Sequence, residues 1–257
     1  MSHERTITIA DDGPIRVVTL NEPQRRNALS LETLRALDEA LEEAGADPRV
    51  HVVVLRGEGP AFSSGHDLRE LRSGDDAVHR EVFDACVRLM QRFEEIPQPI
   101  IAEVDGVATA AGCQIVAACD LAVASERSTF ATPGVRIGLF CSTPMVALSR
   151  AIGRKRALQM LLTGDPIDAK TARDWGLVNV VVSPERTHDE AIALAQCIAR
   201  SSATVLAIGK RAFYAQVDRD TADAYAYTKE VMIRNASEPD AREGIDAFLQ
   251  KRVPNWH

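Results

Sequence analysis

Residues 51–56 (HVVVLR) constrain the fold most, because an unbroken aliphatic run suits a buried strand better than a half-exposed one. The run ends in the loop Gly57-Glu58-Gly59-Pro60. The same plan then returns: a helical pattern over 77–95, a break at Pro97 and Pro99, a strand over 100–104 and a turn at Asp105-Gly106. Upstream, residues 6–9 and 15–20 read as two strands joined across Asp11-Asp12-Gly13-Pro14, the first of them continuing a strand-like alternation over residues 1–10. Ser30 suits the N-cap of a helix whose Leu31, Leu34, Leu37, Leu41 and Ala44 share one face. Helical residues over 113–119 lead to a strand over 121–124. From Thr143 the chain is mainly helical, with one more apolar run over 177–182 and three or four helices after it. Strands interleaved with helices, followed by a helical C-terminal part, give an α/β fold with a helical appendage.

A chain of 257 residues is long enough to bury a full core. Its formal charge of −7 and 5% aromatic content leave no electrostatic or stacking footprint for nucleic acid. No segment approaches the length of an apolar membrane span, and the N-terminus lacks the apolar run of a signal peptide. The five cysteines are scattered without a CxxC pair, which reads as reduced thiols in a reducing compartment, with the cytoplasm as the expectation. Neither a GxGxxG nor a P-loop is present, nor an HExxH or GxSxG motif, so no metal site is expected. Ser64, His66 and Asp67 lie too close together for a hydrolase triad, whose members converge from separate segments.

Two turns remain that can carry chemistry. Residues 61–68 (AFSSGHDL) and 107–113 (VATAAGC) each follow a strand and precede a helix. Each would present unpaired backbone N–H groups at a helix N-terminus, where negative charge is favoured. Facing one another they would form an oxyanion hole; alone they are tight connections made of small residues.

These turns also carry a resemblance. Residues 21–29 (NEPQRRNAL), 62–68 (FSSGHDL), 99–120 (PIIAEVDGVATAAGCQIVAACD), 130–140 (FATPGVRIGLF) and 161–182 (LLTGDPIDAKTARDWGLVNVVV) resemble, in order, the successive signatures of the enoyl-CoA hydratase/isomerase (crotonase) family. The SSGHDL and FCSTP segments resemble its enoyl-CoA hydratase domain-containing protein 3 branch. The resemblance implies a crotonase-like spiral of ββα units over residues 1–195 and a C-terminal helical trimerisation region over 196–257. It implies an acyl-CoA thioester as ligand, with coenzyme A part of the substrate and no separate cofactor, and a homotrimer or dimer of trimers. Carried onto this chain, the oxyanion-hole N–H groups are those of His66 and Ala111. Arg25, Arg26, Ala28, Ser64, His66, Asp67 and Leu68 fall in the segments that contact coenzyme A, with Arg25 and Arg26 suited to phosphates. Arg69, Lys251 and Arg252 are further cations, all of which also read as solvated surface charges.

The chain departs from the family where proton transfer occurs. The two glutamates of family hydratases fall on Gln114 and Gly134, neither of which can exchange a proton near neutral pH. Gln114 retains hydrogen-bonding capacity, and Gly134 reads as room for a bulkier substrate. His66 is then the titratable side chain nearest the chemistry, as a base or as a structural hydrogen-bond partner. Cys141 reads as a nucleophile or, more ordinarily, as a small buried thiol.

Overall fold

The computed structural model describes residues 5–256; residues 1–4 of the expected N-terminal strand pattern, and residue 257, lie outside that range. A hairpin opens the chain: β1 (Ile7–Asp12) and β2 (Ile15–Leu20) pair antiparallel from Ile7↔Leu20 to Asp12↔Ile15. The turn is made at Gly13, whose φ of +57° lies in the left-handed region that glycine enters without strain.

The strands β3 (Val52–Gly57), β5 (Ile100–Val104), β7 (Leu121–Ser125) and β10 (Val180–Val182) continue this sheet in parallel, in the order β1-β2-β3-β5-β7-β10. A second sheet holds β4 (Ala61–Ser63), β6 (Val107–Thr109), β8 (Thr129–Ala131) and β9 (Ile167–Asp168), the last antiparallel. Each turn of the spiral adds one strand to each sheet and then a helix. After β3 and β4 come α2 (Leu68–Ser73) and α3 (Asp76–Glu95); after β5 and β6, α4 (Ala111–Ala118); after β7 and β8, α5 (Pro144–Ile152). This is the ββα spiral that the resemblance implies.

The aliphatic run of β3 is unbroken because both faces of its sheet are covered. Val53 and Leu55 face the main core, with Leu34, Leu37 and Leu41 of α1 (Leu31–Ala46) and Leu89 and Phe93 of α3. Val52 and Val54 join Ile15, Ile101 and Val123 under Ala191 and Ala195 of α8 (Thr187–Ala199). Each such side chain contributes about 1.5–3 kcal/mol by leaving water. Ser30 caps α1 as expected, its hydroxyl accepting from the Thr33 N–H at 3.2 Å. Helix α3 stops at Ile96, held extended before Pro97.

Beyond the spiral lie α6 (Arg154–Thr163), α7 (Ala169–Trp175), α9 (Ala203–Gln216), α10 (Thr221–Asn235) and α11 (Pro239–Gln250). The boundary expected at residue 195 falls inside α8, which packs on the first sheet. Buried Lys210 ties α9 to the spiral: its Nζ lies 2.8 Å from Asp120 and donates to the Gln98 carbonyl at 2.9 Å. Among the described residues, no single helix is long and apolar enough to cross a membrane.

Candidate functional site

Parallel pairing of β4 with β6 lays the two small-residue turns side by side. Asn27, buried and at φ +52°, anchors the first of them. Its amide donates to the carbonyls of Glu58 (2.9 Å) and Ala61 (2.7 Å) and accepts from the Glu22 N–H (2.9 Å). The Ser63 hydroxyl donates to the Asn27 carbonyl at 2.8 Å and accepts from the Gly65 N–H at 3.2 Å. Leu29 and His66 then form an isolated parallel bridge, with Leu29 N–H donating to the Gly65 carbonyl and Asp67 N–H to that of Leu29. Across the gap, the Thr109 hydroxyl donates to the Ser64 carbonyl at 3.1 Å.

The contact between the turns is close enough to exclude side chains. A Cβ on Gly65, whose φ is +85°, would stand 2.9 Å from the Thr109 oxygen and 3.1 Å from the Ala111 nitrogen. One on Gly112 would stand 2.4 Å from the Ser63 oxygen. Ala110 between them adopts φ +50°, ψ −117°, a conformation natural to glycine that costs an alanine about 1–3 kcal/mol. The result is a helix, α4, that begins at Ala111 directly against the loop carrying His66. Among the described residues, neither the His66 nor the Ala111 backbone N–H has a hydrogen-bond acceptor.

Both residues line a cavity of about 320 Å³, together with Ser64, Leu68, Phe83, Gly134, Ile137, Leu139, Phe140, Cys141 and Pro144. The titratable side chains along it are His66 and Cys141, and both are pushed toward neutrality. Burial draws the His66 imidazole below its ordinary pKa, offset in part by the nearby Leu29 carbonyl. Burial raises the Cys141 thiol. The His66 ring stands edge-on to Phe83 at 5.3 Å, and both its nitrogens are buried without a hydrogen-bond partner. The Leu29 carbonyl is the partner near that ring, short of a full hydrogen bond. Cys141 is buried, as the more ordinary of its two readings has it.

The other expected residues are distributed unevenly. Ser64 and Leu68 reach the cavity, whereas Ala28 is buried and does not line it. Asp67 turns away: its carboxylate accepts from the Arg69 N–H, capping α2, and forms an ion pair with Arg25. Ser64, His66 and Asp67 thus form no triad. Arg25 also meets Glu22 at 3.2 Å, while Arg26 is exposed and makes no ion pair among the described residues. Arg69 and Lys251 are exposed, and Arg252 is held by Glu243 at 2.6 and 2.8 Å.

Gln114 and Gly134 do not share the cavity. Gln114 is buried, its side-chain oxygen 3.9 Å from the Cys86 sulfur, and borders a larger groove between α3, α5 and α9. Gly134 does line the cavity, but it leaves no room for substrate. A Cβ there would lie 1.9 Å from the Leu139 carbonyl oxygen and 2.9 Å from the Cys141 sulfur, so the chain itself fills the space. Phe83 on α3, Ile137 and Leu139, not singled out from the sequence, supply most of the apolar wall together with Phe140 of the FCSTP segment. The exposed apolar run GLF over 138–140 was the available signal for them.

A spiral of ββα units with two N–H-bearing turns against an apolar cavity defines a class, and comparison with known proteins agrees. The model of the family described as enoyl-CoA hydratase/isomerase matches residues 11–257. The chain belongs to the enoyl-CoA hydratase/isomerase family. Within it, the chain is 48% identical over 258 residues to enoyl-CoA hydratase domain-containing protein 3, mitochondrial, of Xenopus laevis, covering 100% of this chain and 87% of the relative. Among solved structures, an enoyl-CoA hydratase from Mycobacterium smegmatis superposes with a TM-score of 0.96 at 44% identity, covering 99% of this chain and 100% of that one. Human enoyl-CoA hydratase domain-containing protein 3 does so with a TM-score of 0.96 at 46% identity, covering 98% and 100%. The branch resemblance is thereby supported.

The cytoplasmic expectation is overturned. The Xenopus relative and its vertebrate counterparts at 48–49% identity are all named mitochondrial. Scattered reduced thiols are compatible with any reducing compartment, so cysteine usage was never able to single out the cytoplasm.

Proposed function

We propose that this protein binds the thioester end of an acyl-CoA, with the thioester oxygen accepting from the backbone N–H groups of His66 and Ala111. The observation that carries this reading is the abutment of the two turns on one cavity wall, where both N–H groups lack an acceptor. Donors fixed in a largely apolar site stabilise an enolate oxygen strongly, and loss of one such donor typically costs about 10²–10³ in rate. The exposed Arg26 is better placed than the ion-paired Arg25 to meet the nucleotide phosphates. Exposed apolar residues on α10 and α11, among them Met232, Ile233, Phe248 and Leu249, fit the trimer or dimer of trimers implied by the family.

Hydration itself is proposed to be slow or absent. Gln114 and Gly134 offer no base, burial keeps the Cys141 thiol protonated, and the His66 imidazole, though neutral, has its nitrogens buried and no carboxylate beside it on the cavity. The same observation favours a second reading, a non-catalytic acyl-CoA-binding protein, over an isomerase, decarboxylase or thioesterase, each of which also moves protons. Calorimetry with acyl-CoAs and a crotonyl-CoA hydration assay test both halves. Binding with turnover well below about 10 s⁻¹, an ordinary enzymatic rate, is the expected result. Turnover at or above that rate would refute the second half, and no binding of any acyl-CoA would refute the first.

A further inference from the structure

The dimensions and lining of the cavity say what kind of acyl group it takes. We infer that it is selective for an unbranched aliphatic acyl chain of about eight carbons that carries no charged substituent; this rests on the acyl-CoA reading above. The cavity holds about 320 Å³. A methylene occupies about as much space as a water molecule, about 30 Å³, so the cavity accepts about ten non-hydrogen atoms. The thioester oxygen and sulfur take two of these, because His66 and Ala111 stand on the same wall. About eight carbons remain.

The lining fixes the chemistry of that chain. Phe83, Ile137, Leu139 and Phe140 surround it, and the cavity carries no lysine or arginine. Ile137, Leu139 and Phe140 are 61%, 44% and 39% exposed, so the apolar wall continues into a rim that solvent reaches until a chain covers it. The ring nitrogens of His66 are shut away from solvent and do not present a polar anchor to a substituted acyl group. The remaining polar side chains on the lining are the uncharged hydroxyls of Ser64, Ser142 and Thr143, so a carboxylate at the far end of the chain would be desolvated without a cationic partner, which is strongly unfavourable.

Calorimetric titration of the full chain with butyryl-, octanoyl- and dodecanoyl-CoA, and with an eight-carbon acyl-CoA ending in a carboxylate, tests the inference. Each buried methylene should tighten binding by about fourfold. Octanoyl-CoA is thus expected to bind about 10²-fold tighter than butyryl-CoA, with no further gain at dodecanoyl-CoA, and at least about tenfold tighter than its carboxylated analogue. Ser142, exposed at the rim, offers a variant that avoids the core: Ser142→Phe should move the optimum to shorter chains, and Phe83→Ala to longer ones. Equal affinity for four and eight carbons, a gain that continues to twelve, undiminished binding of the carboxylated chain, or an optimum that neither variant moves would each overturn the length and charge selectivity while leaving acyl-CoA binding intact. Failure of every acyl-CoA to bind would overturn the acyl-CoA reading and this inference with it.

Discussion

Placing glutamates at 114 and 134, the positions to which the resemblance assigns them, should fail to give a hydratase, and the reason is steric before it is chemical. The Leu139 N–H donates to the Gly134 carbonyl at 2.9 Å, closing a turn that places the Leu139 carbonyl where a Cβ on residue 134 would go. The separation would be 1.9 Å, against about 3.3–3.6 Å for a comfortable carbon–oxygen contact. The obstructing atom belongs to the backbone, so no rotamer change relieves the overlap, and the segment after residue 138 must shift. Overpacking of this kind costs about 1–3 kcal/mol even for a single methyl group. Gly134→Ala is therefore expected to lower the melting temperature by about 2–4 °C for each kcal/mol lost, read by thermal unfolding. The double variant Gln114→Glu/Gly134→Glu should be less stable still, because the new carboxylate at 114 is buried beside the Cys86 sulfur, and should hydrate crotonyl-CoA far below about 10 s⁻¹. An unchanged melting temperature for Gly134→Ala, or a double variant that works at an ordinary hydratase rate, would refute this account of the loop.

Three further outcomes follow from the same geometry. Ala110→Gly should stabilise the protein by about 1 kcal/mol, since relief of the positive-φ strain exceeds the added chain entropy, and chemical denaturation would detect it. Asn27→Ala should destabilise by about 2–4 kcal/mol, because it leaves the Glu58 and Ala61 carbonyls and the Glu22 N–H without their partner; a change below about 1 kcal/mol would show the anchor to be dispensable. Burial pushes the Cys86 thiol up to about 12 from 9.0, so above pH 9 the unfolded chain releases a proton that the folded chain keeps. Stability is thus lost as pH rises from 9 to 12, and Cys86→Ala should make that decline shallower by about 1.4 kcal/mol per pH unit in denaturation curves.

The first sheet was legible because burial on both faces writes itself into composition. Residues 52–55 are aliphatic throughout, and 100–104 and 121–125 stand between clear breaks at Pro97, Pro99 and Asp120. The second sheet was not, since strands of two or three residues such as β4, β6 and β9 are too short for any alternation to register. In the site, spacing marked the two turns, because small residues between strand and helix allow few geometries, and the resemblance assigned their N–H groups to His66 and Ala111. Side-chain direction could not. Nothing local says that the imidazole of His66 turns its nitrogens into protein, or that the Leu139 carbonyl occupies the volume beside Gly134. The first depends on contact with a distant segment, α3, and the second on the path taken by the turn over residues 134–139.

The local energetics of this site separate its two halves. At the junction of the turns the chain holds unfavourable features: an alanine at φ +50°, two backbone N–H groups without acceptors, and an imidazole with both nitrogens buried and unpartnered. The alanine alone costs about 1–3 kcal/mol. The positions of the family glutamates show the opposite character. Residue 134 is folded into a closed, hydrogen-bonded turn, and residue 114 is packed against Cys86. A scaffold that had lost all contact with ligand would be expected to relax at both places, for instance through a glycine at 110. Strain at the N–H pair, with closed packing at residues 114 and 134, is what the proposed function requires, in which the fold holds a thioester oxygen without moving its protons. On the reading proposed above, an acyl-CoA would meet both donors and cover the exposed rim in a single event.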